Sequence, residues 1–159
     1  MTRELGEKID RRLRDGWGKD RIRQSLKGSA SGTRLVFLLN DLPTVNRRRT
    51  YLLLNLTLAA ILLSMTTIKL WAAVSIGRIN IYFFLALVVP LINLHVLQKI
   101  LRFRRTGYQY LFVLSLLSLV QPENHRPLEA TLLGAMLLLS AFLYRRLFPK
   151  EELIKAADE

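Results

Sequence analysis

Cysteine is absent from all 159 residues, so a disulfide framework, a thiolate metal site, an iron–sulfur cluster and a cysteine nucleophile are excluded. The motifs of hydrolytic and nucleotide chemistry are missing too. The chain contains no Gly-x-Ser-x-Gly elbow, His-Glu-x-x-His pair, P-loop or dinucleotide fingerprint. Acid is the third scarcity: 12 Asp and Glu stand against 24 Lys and Arg for a net charge of +12, and no acid occurs between Tyr51 and Gln121. The expectation is a non-enzymatic chain without cofactor or metal.

What the chain does have is apolar blocks. Tyr51 to Ile68 runs 18 residues without a charge, roughly 27 Å as a helix at 1.5 Å per residue, close to a bilayer core. Ile79 to Leu97 gives 19 more and includes Pro90, which kinks a helix unless neighbours satisfy the freed carbonyl. Tyr108 to Val120 and Ala130 to Tyr144 supply only 13 and 15 residues. Joined by the turn Gln121 to Pro127, they form a hairpin that crosses fully, thins the bilayer or re-enters; full crossing is favoured because Gln121 and the stems of Lys99 to Arg105 lengthen the span by snorkelling. The fold expected is an all-α integral membrane protein with four transmembrane helices, at about 51–70, 79–97, 107–121 and 128–145, preceded by a short cytoplasmic helical hairpin. Residues 1–30 hold the hairpin, 31–50 an interfacial linker, 51–148 the transmembrane domain and 149–159 a charged cytoplasmic tail.

Charge tests this parse independently, because short translocated loops are poor in Lys and Arg. Thirteen bases precede Tyr51, and the three loops and the tail carry two, four, one and four. The alternation places 21 of the 24 on one side, so both termini are expected in the cytoplasm of a bacterial-type inner membrane. Tyr51, Trp71, Tyr82, Tyr108, Tyr110 and Tyr144 fall near block ends, as an aromatic belt requires. Residues 1–34 contain no apolar run of signal length and carry five acids, which argues against a cleaved signal or a mitochondrial presequence, and Thr2 in place of glycine argues against myristoylation. The same bias accounts for the basic charge, and with no groove-reading motif or aromatic platform present no nucleic-acid partner is expected.

The amino-terminal segment pairs Glu4 with Lys8, Glu7 with Arg11 and Asp10 with Arg14 at i, i+4, acid first, the favourable order. A helix from Thr2 to Arg14 follows, and Ile22 and Leu26 mark a second that ends near Gly28. Gly16-Trp-Gly-x-x-Arg-Ile-x-x-x-Leu26 resembles the helix start in repeats of the RecX family; the likeness is confined to these residues and implies local structure only. A hairpin this small buries too little core alone. Leu5, Ile9, Leu13, Trp17, Ile22 and Leu26 therefore dock on each other, on lipid or on a partner protein, and they are the candidate docking residues. Arg34 to Leu39 is too short to span and lies at the headgroups or packs beneath the bundle.

Arg47, Arg48, Arg49, Arg102, Arg104 and Arg105 flank spans and are candidate headgroup contacts. Within the spans, Asn55, Ala59 and Thr66 share one face of the first and Pro90 and Asn93 one face of the second; with His95 and Gly134 they are candidate helix contacts. Lys69 is expected to snorkel outward, and Glu129 to start the fourth span where the helix dipole favours a carboxylate. His95 and His125 fall at opposite ends of the spans, a bilayer apart, so no bis-His site forms. An accessory, assembly or scaffolding subunit of a membrane complex, docking through the hairpin and helix faces onto other subunits or itself, is the leading expectation. A small homo-oligomeric channel, flippase or transporter is the alternative. A tag inserted beside Pro127 is expected in the opposite compartment from tags at both ends; protease accessibility in sealed vesicles reads this, and a shared compartment would refute the four-span order.

Overall fold

The computed structural model describes residues 2–28, 31–75, 77, 81–121 and 127–154. Over these the chain is helical: α1 (Thr2–Arg14), α2 (Lys19–Ser25), α3 (Gly32–Asn40), α4 (Val45–Thr50), α5 (Leu52–Val74), α6 (Ile81–Leu101), α7 (Arg105–Val120), α8 (Pro127–Leu147) and a 3-10 turn, Lys150–Glu152. Helices α5, α6 and α8 are long and apolar enough to cross a membrane. At 16 residues, α7 reaches only about 24 Å at 1.5 Å per residue. Arg78, His125, Arg126 and Lys155, which entered the loop charges and the bis-His argument, lie outside the described residues, as does Met1.

Two parts pack separately. In the first, Ile9 and Leu13 of α1, Ile22 of α2 and Leu26 bury themselves against Leu35, Leu39 and Leu42, with Leu5, Trp17 and Leu38 partly covered. The stretch expected as an interfacial linker is thus helical, and α3 supplies the third wall that a two-helix hairpin lacks. Trp17 sits between guanidinium groups, 4.4 Å from Arg21 and 5.3 Å from Arg12. The carboxy-terminal stretch folds back here, with Asn40 donating to the Ile154 carbonyl at 2.9 Å and accepting from its N–H at 3.0 Å.

The second part is a bundle in which each helix packs against the next and α8 closes back on α5; the pairs α5/α6 and α7/α8 make the closest contacts. Asn55, Leu58, Ala59, Leu62, Met65, Thr66 and Ala73 form the buried stripe of α5, the three-to-four spacing of one helix face. Pro90 lies inside a continuous α6 and is buried.

The α6–α7 connection is tight. Phe103 takes a positive φ of 54°, its N–H reaching Ile100 O at 2.9 Å while Arg104 N–H reaches Lys99 O at 2.9 Å, the hydrogen-bond pattern of a Schellman motif. A side chain at this φ is strained by about 1 kcal/mol, and burial of the Phe103 ring among Ile100, Tyr108 and Leu147 opposes that. Gly107 is required next: a Cβ there would lie 2.8 Å from Lys99 Cβ.

Asp41 joins the two parts. Its buried carboxylate accepts from Arg104 Nη1 at 2.9 Å and from the Thr106 N–H at 3.1 Å, and its carbonyl accepts from the Arg105 N–H at 3.0 Å. Arg104, the residue at the helix cap, makes no capping bond through its own side chain, so Asp41 caps α7 from another element, satisfying orphan N–H groups and facing the positive end of the helix dipole. Asp41→Ala is expected to lower stability by about 2 kcal/mol, the lost cap and the partly exposed ion pair each contributing about 1, and Asp41→Asn by less; denaturant unfolding in detergent checks the order.

Candidate functional site

A buried polar node ties three helices together at the end of the bundle nearest the amino-terminal helices. Asn55 donates through Nδ2 to the Ile100 carbonyl at 3.1 Å and accepts from the Tyr108 hydroxyl at 2.6 Å, all buried. One amide therefore joins α5, α6 and α7, and its burial keeps it out of reach of a solute. Thr66 is likewise occupied, donating to Leu62 O at 2.7 Å within its own helix.

The opposite half of the bundle is open. A cavity of about 560 Å³ separates α5 and α6 from α7 and α8, walled by Met65, Ala73, Val89, Leu114, Leu133 and Met136 among others. Its polar groups are Lys69, Asn93, Ser115, Ser118 and Gln121. Ser115 is almost fully buried, and its Oγ has no hydrogen-bond partner among the described residues. An orphan hydroxyl in an apolar wall is destabilising unless water or a ligand meets it.

Lys69 does not snorkel outward. It turns inward to Glu129 of α8, Nζ to Oε2 3.0 Å, where the carboxylate is nearly buried. The two charges neutralise each other, and Glu129 also gains from its place in the first turn of α8. The pair stands at the edge of the cavity, which Lys69 also lines.

Most of the candidate docking and headgroup residues have partners within the chain. The docking face Ile9, Leu13, Ile22 and Leu26 is consumed inside the chain, with Leu5 and Trp17 packed at its edge. Four of the six arginines expected at headgroups are engaged internally. Arg47 pairs with Glu152 at 2.7 Å and donates to Arg146 O; Arg48 pairs with Asp10 at 2.6 Å; Arg104 holds Asp41; Arg105 donates to the Tyr144 hydroxyl at 2.6 and 3.0 Å. Arg49 and Arg102 are exposed. Lys19 sits among these bases beside Glu152; burial holds its amine below the ordinary lysine range, Glu152 opposes this, and Arg105, Arg48 and Arg47 reinforce it.

Among the helix contacts, Asn55, Ala59, Thr66 and Pro90 are buried and Asn93 lines the cavity. His95 faces outward, because the inward face of that turn of α6 belongs to Val96. Gly134 has open space where a Cβ would stand, so it permits no close helix approach. The cavity hydroxyls were missed, although Leu111, Ser115, Ser118 and Gln121 recur at the spacing of one helix face. No cluster of metal-ligating side chains occurs among the described residues.

No family model, curated protein or solved structure matches this chain. What defines it, over the described residues, is an all-helical architecture with three helices able to cross a membrane and a largely apolar cavity within the bundle.

Lys69→Met leaves the Glu129 carboxylate buried without its partner, an expected loss of about 2 kcal/mol, discounted from the fully buried case because Lys69 is partly exposed. The double variant Lys69→Met/Glu129→Gln is expected to recover most of it. A double-mutant cycle of unfolding free energies measures the coupling, and additive losses would remove the pair from the account.

Proposed function

We propose that the chain is a four-span, non-enzymatic protein of a bacterial-type inner membrane, with both termini in the cytoplasm, that takes an amphiphile between its helices as a small carrier or flippase. The observation that carries this reading is the cavity beside the Lys69–Glu129 pair, with an orphan Ser115 hydroxyl in its apolar wall. Apolar surface with few convergent polar groups suits a ligand that is mostly hydrocarbon and bears one polar head. Lys69 and Asn93 meet the head; the aliphatic walls meet the chain. Transport needs no internal proton relay here, because movement of the α5/α6 pair relative to α7/α8 opens and closes the seam in which the cavity lies. Helix α7 completes the fourth crossing, its short length offset by local thinning of the bilayer around it.

The subunit reading retains one specific support. Along α6, Pro90, Val96 and Ile100 are the buried residues, while Phe84, Leu85, Leu91 and Leu94 are exposed. Such a helix offers a broad apolar surface to a neighbouring subunit or a second copy as readily as to lipid. The hairpin is less suited to docking, since its apolar face is already covered.

Reconstitution into vesicles carrying a fluorescent phospholipid, with external quenching, tests the carrier reading. The wild type is expected to bring inner-leaflet lipid within reach of the quencher, and Ser115→Leu with Asn93→Leu, which fill the cavity with hydrocarbon, to fall to the rate of protein-free vesicles. Wild-type vesicles no faster than empty ones, together with a stoichiometric foreign protein in mild-detergent purification, would replace this reading with the subunit one.

A further inference from the structure

A second hollow lies at the opposite end of the bundle. Between the start of α7 and the end of α8 runs an open groove of about 1170 Å³, larger than the about 300–1,000 Å³ typical of a small-ligand site. Its lining changes character along its length. Phe112 and Phe142 wall the side toward the bundle centre, while Arg145, Arg146 and Lys150 stand on the other side, and no acid lines it. The Arg146 guanidinium lies 5.6 Å from the Phe142 ring centroid, at the junction between the two halves.

Tyr144 makes the groove more than a basic patch. Its hydroxyl oxygen accepts from Arg105 and, at 3.2 Å, from Gln109, so its acceptor capacity is taken and its own proton is left to donate. Among the described residues no acceptor meets that proton. Neither Arg145 nor Lys150 is drawn into an ion pair there, whereas the neighbouring Arg47, Arg48 and Arg104 are. One donor hydroxyl backed by a guanidinium, with three further cations lining the same groove, suits a phosphate; the aromatic half suits hydrocarbon.

From this we infer that the α7–α8 groove is a binding site for an anionic phospholipid. The phosphate sits among Tyr144, Arg145, Arg146 and Lys150, and an acyl chain runs along Phe112 and Phe142. The site is separate from the central cavity and does not depend on the carrier reading. Charge complementarity selects lipid over a partner helix, because a groove with cations at one end and aromatic rings at the other matches an amphiphile's head and tail. Such a lipid holds the bundle at the depth at which its last helical turn leaves the hydrocarbon.

The full chain in mild detergent, titrated with phosphatidylglycerol or phosphatidylcholine and followed by native mass spectrometry, tests this. One phosphatidylglycerol is expected to bind in preference to phosphatidylcholine. Arg145→Gln with Arg146→Gln is expected to weaken it about 25-fold, about fivefold per base. Arg49→Gln with Arg102→Gln removes the same charge from exposed sites elsewhere and is expected to leave affinity near wild type; equal losses in the two double variants would reduce the site to a diffuse basic field. Inorganic phosphate is expected not to displace the lipid, and displacement would make the groove a free-anion site. Phe142→Ala is expected to shorten lipid residence. All four substituted arginines are exposed, and helical circular dichroism confirms folding before each titration.

Discussion

A carboxylate withdrawn from water is tolerated only where donors replace its hydration, and Asp41 meets that condition at one place in this fold. It caps α7, holds Arg104 and accepts a third bond through its own carbonyl. Because Asp41 follows α3 directly, the orientation of the amino-terminal helices on the bundle follows from the first turn of α7. The strained Phe103 and the side-chain-free Gly107 serve the same end, bringing α7 against α6 closely enough for Asn55 and Tyr108 to meet. The end of the bundle nearest the amino-terminal helices is therefore held by polar bonds whose members are largely buried.

The other end of the bundle is built on the opposite plan. There the four helices line a cavity, and the Lys69–Glu129 pair ties α5 to α8 beside it. A molecule pinned at one end and gapped at the other has its freedom concentrated at the gap. That asymmetry, more than any single residue, underlies the reading of the cavity as a place for an amphiphile. The basic residues divide on the same principle. Arg47, Arg48, Arg104 and Arg105 are spent on holding the fold, whereas Arg145, Arg146 and Lys150 line the α7–α8 groove.

How much was legible in advance depended on the range of the interaction. The helix from Thr2 to Arg14 was readable from i, i+4 pairs, and the buried stripe of α5 from its own spacing, because both are properties of one helix. Length decided the status of α7: its apolar run is short, and it falls below the span length that α5, α6 and α8 reach. The hairpin's apolar face was visible as needing cover, but its cover was not, since Leu35 and Leu39 look equally suited to lying at headgroups. His95 lies on the outer face, because the rotation of α6 turns Val96 inward in its place.

From the amino acids alone came the helical class, the apolar blocks, the segregation of charge and the exclusion of thiol chemistry, all of which depend on composition and local periodicity. The tertiary structure alone decided which arginine meets which carboxylate, that Asp41 caps a helix 64 residues further along the chain, and that Lys69 turns inward. Ion pairs and caps between distant segments depend on the relative rotation and depth of packed helices, and no periodicity within a single helix encodes either.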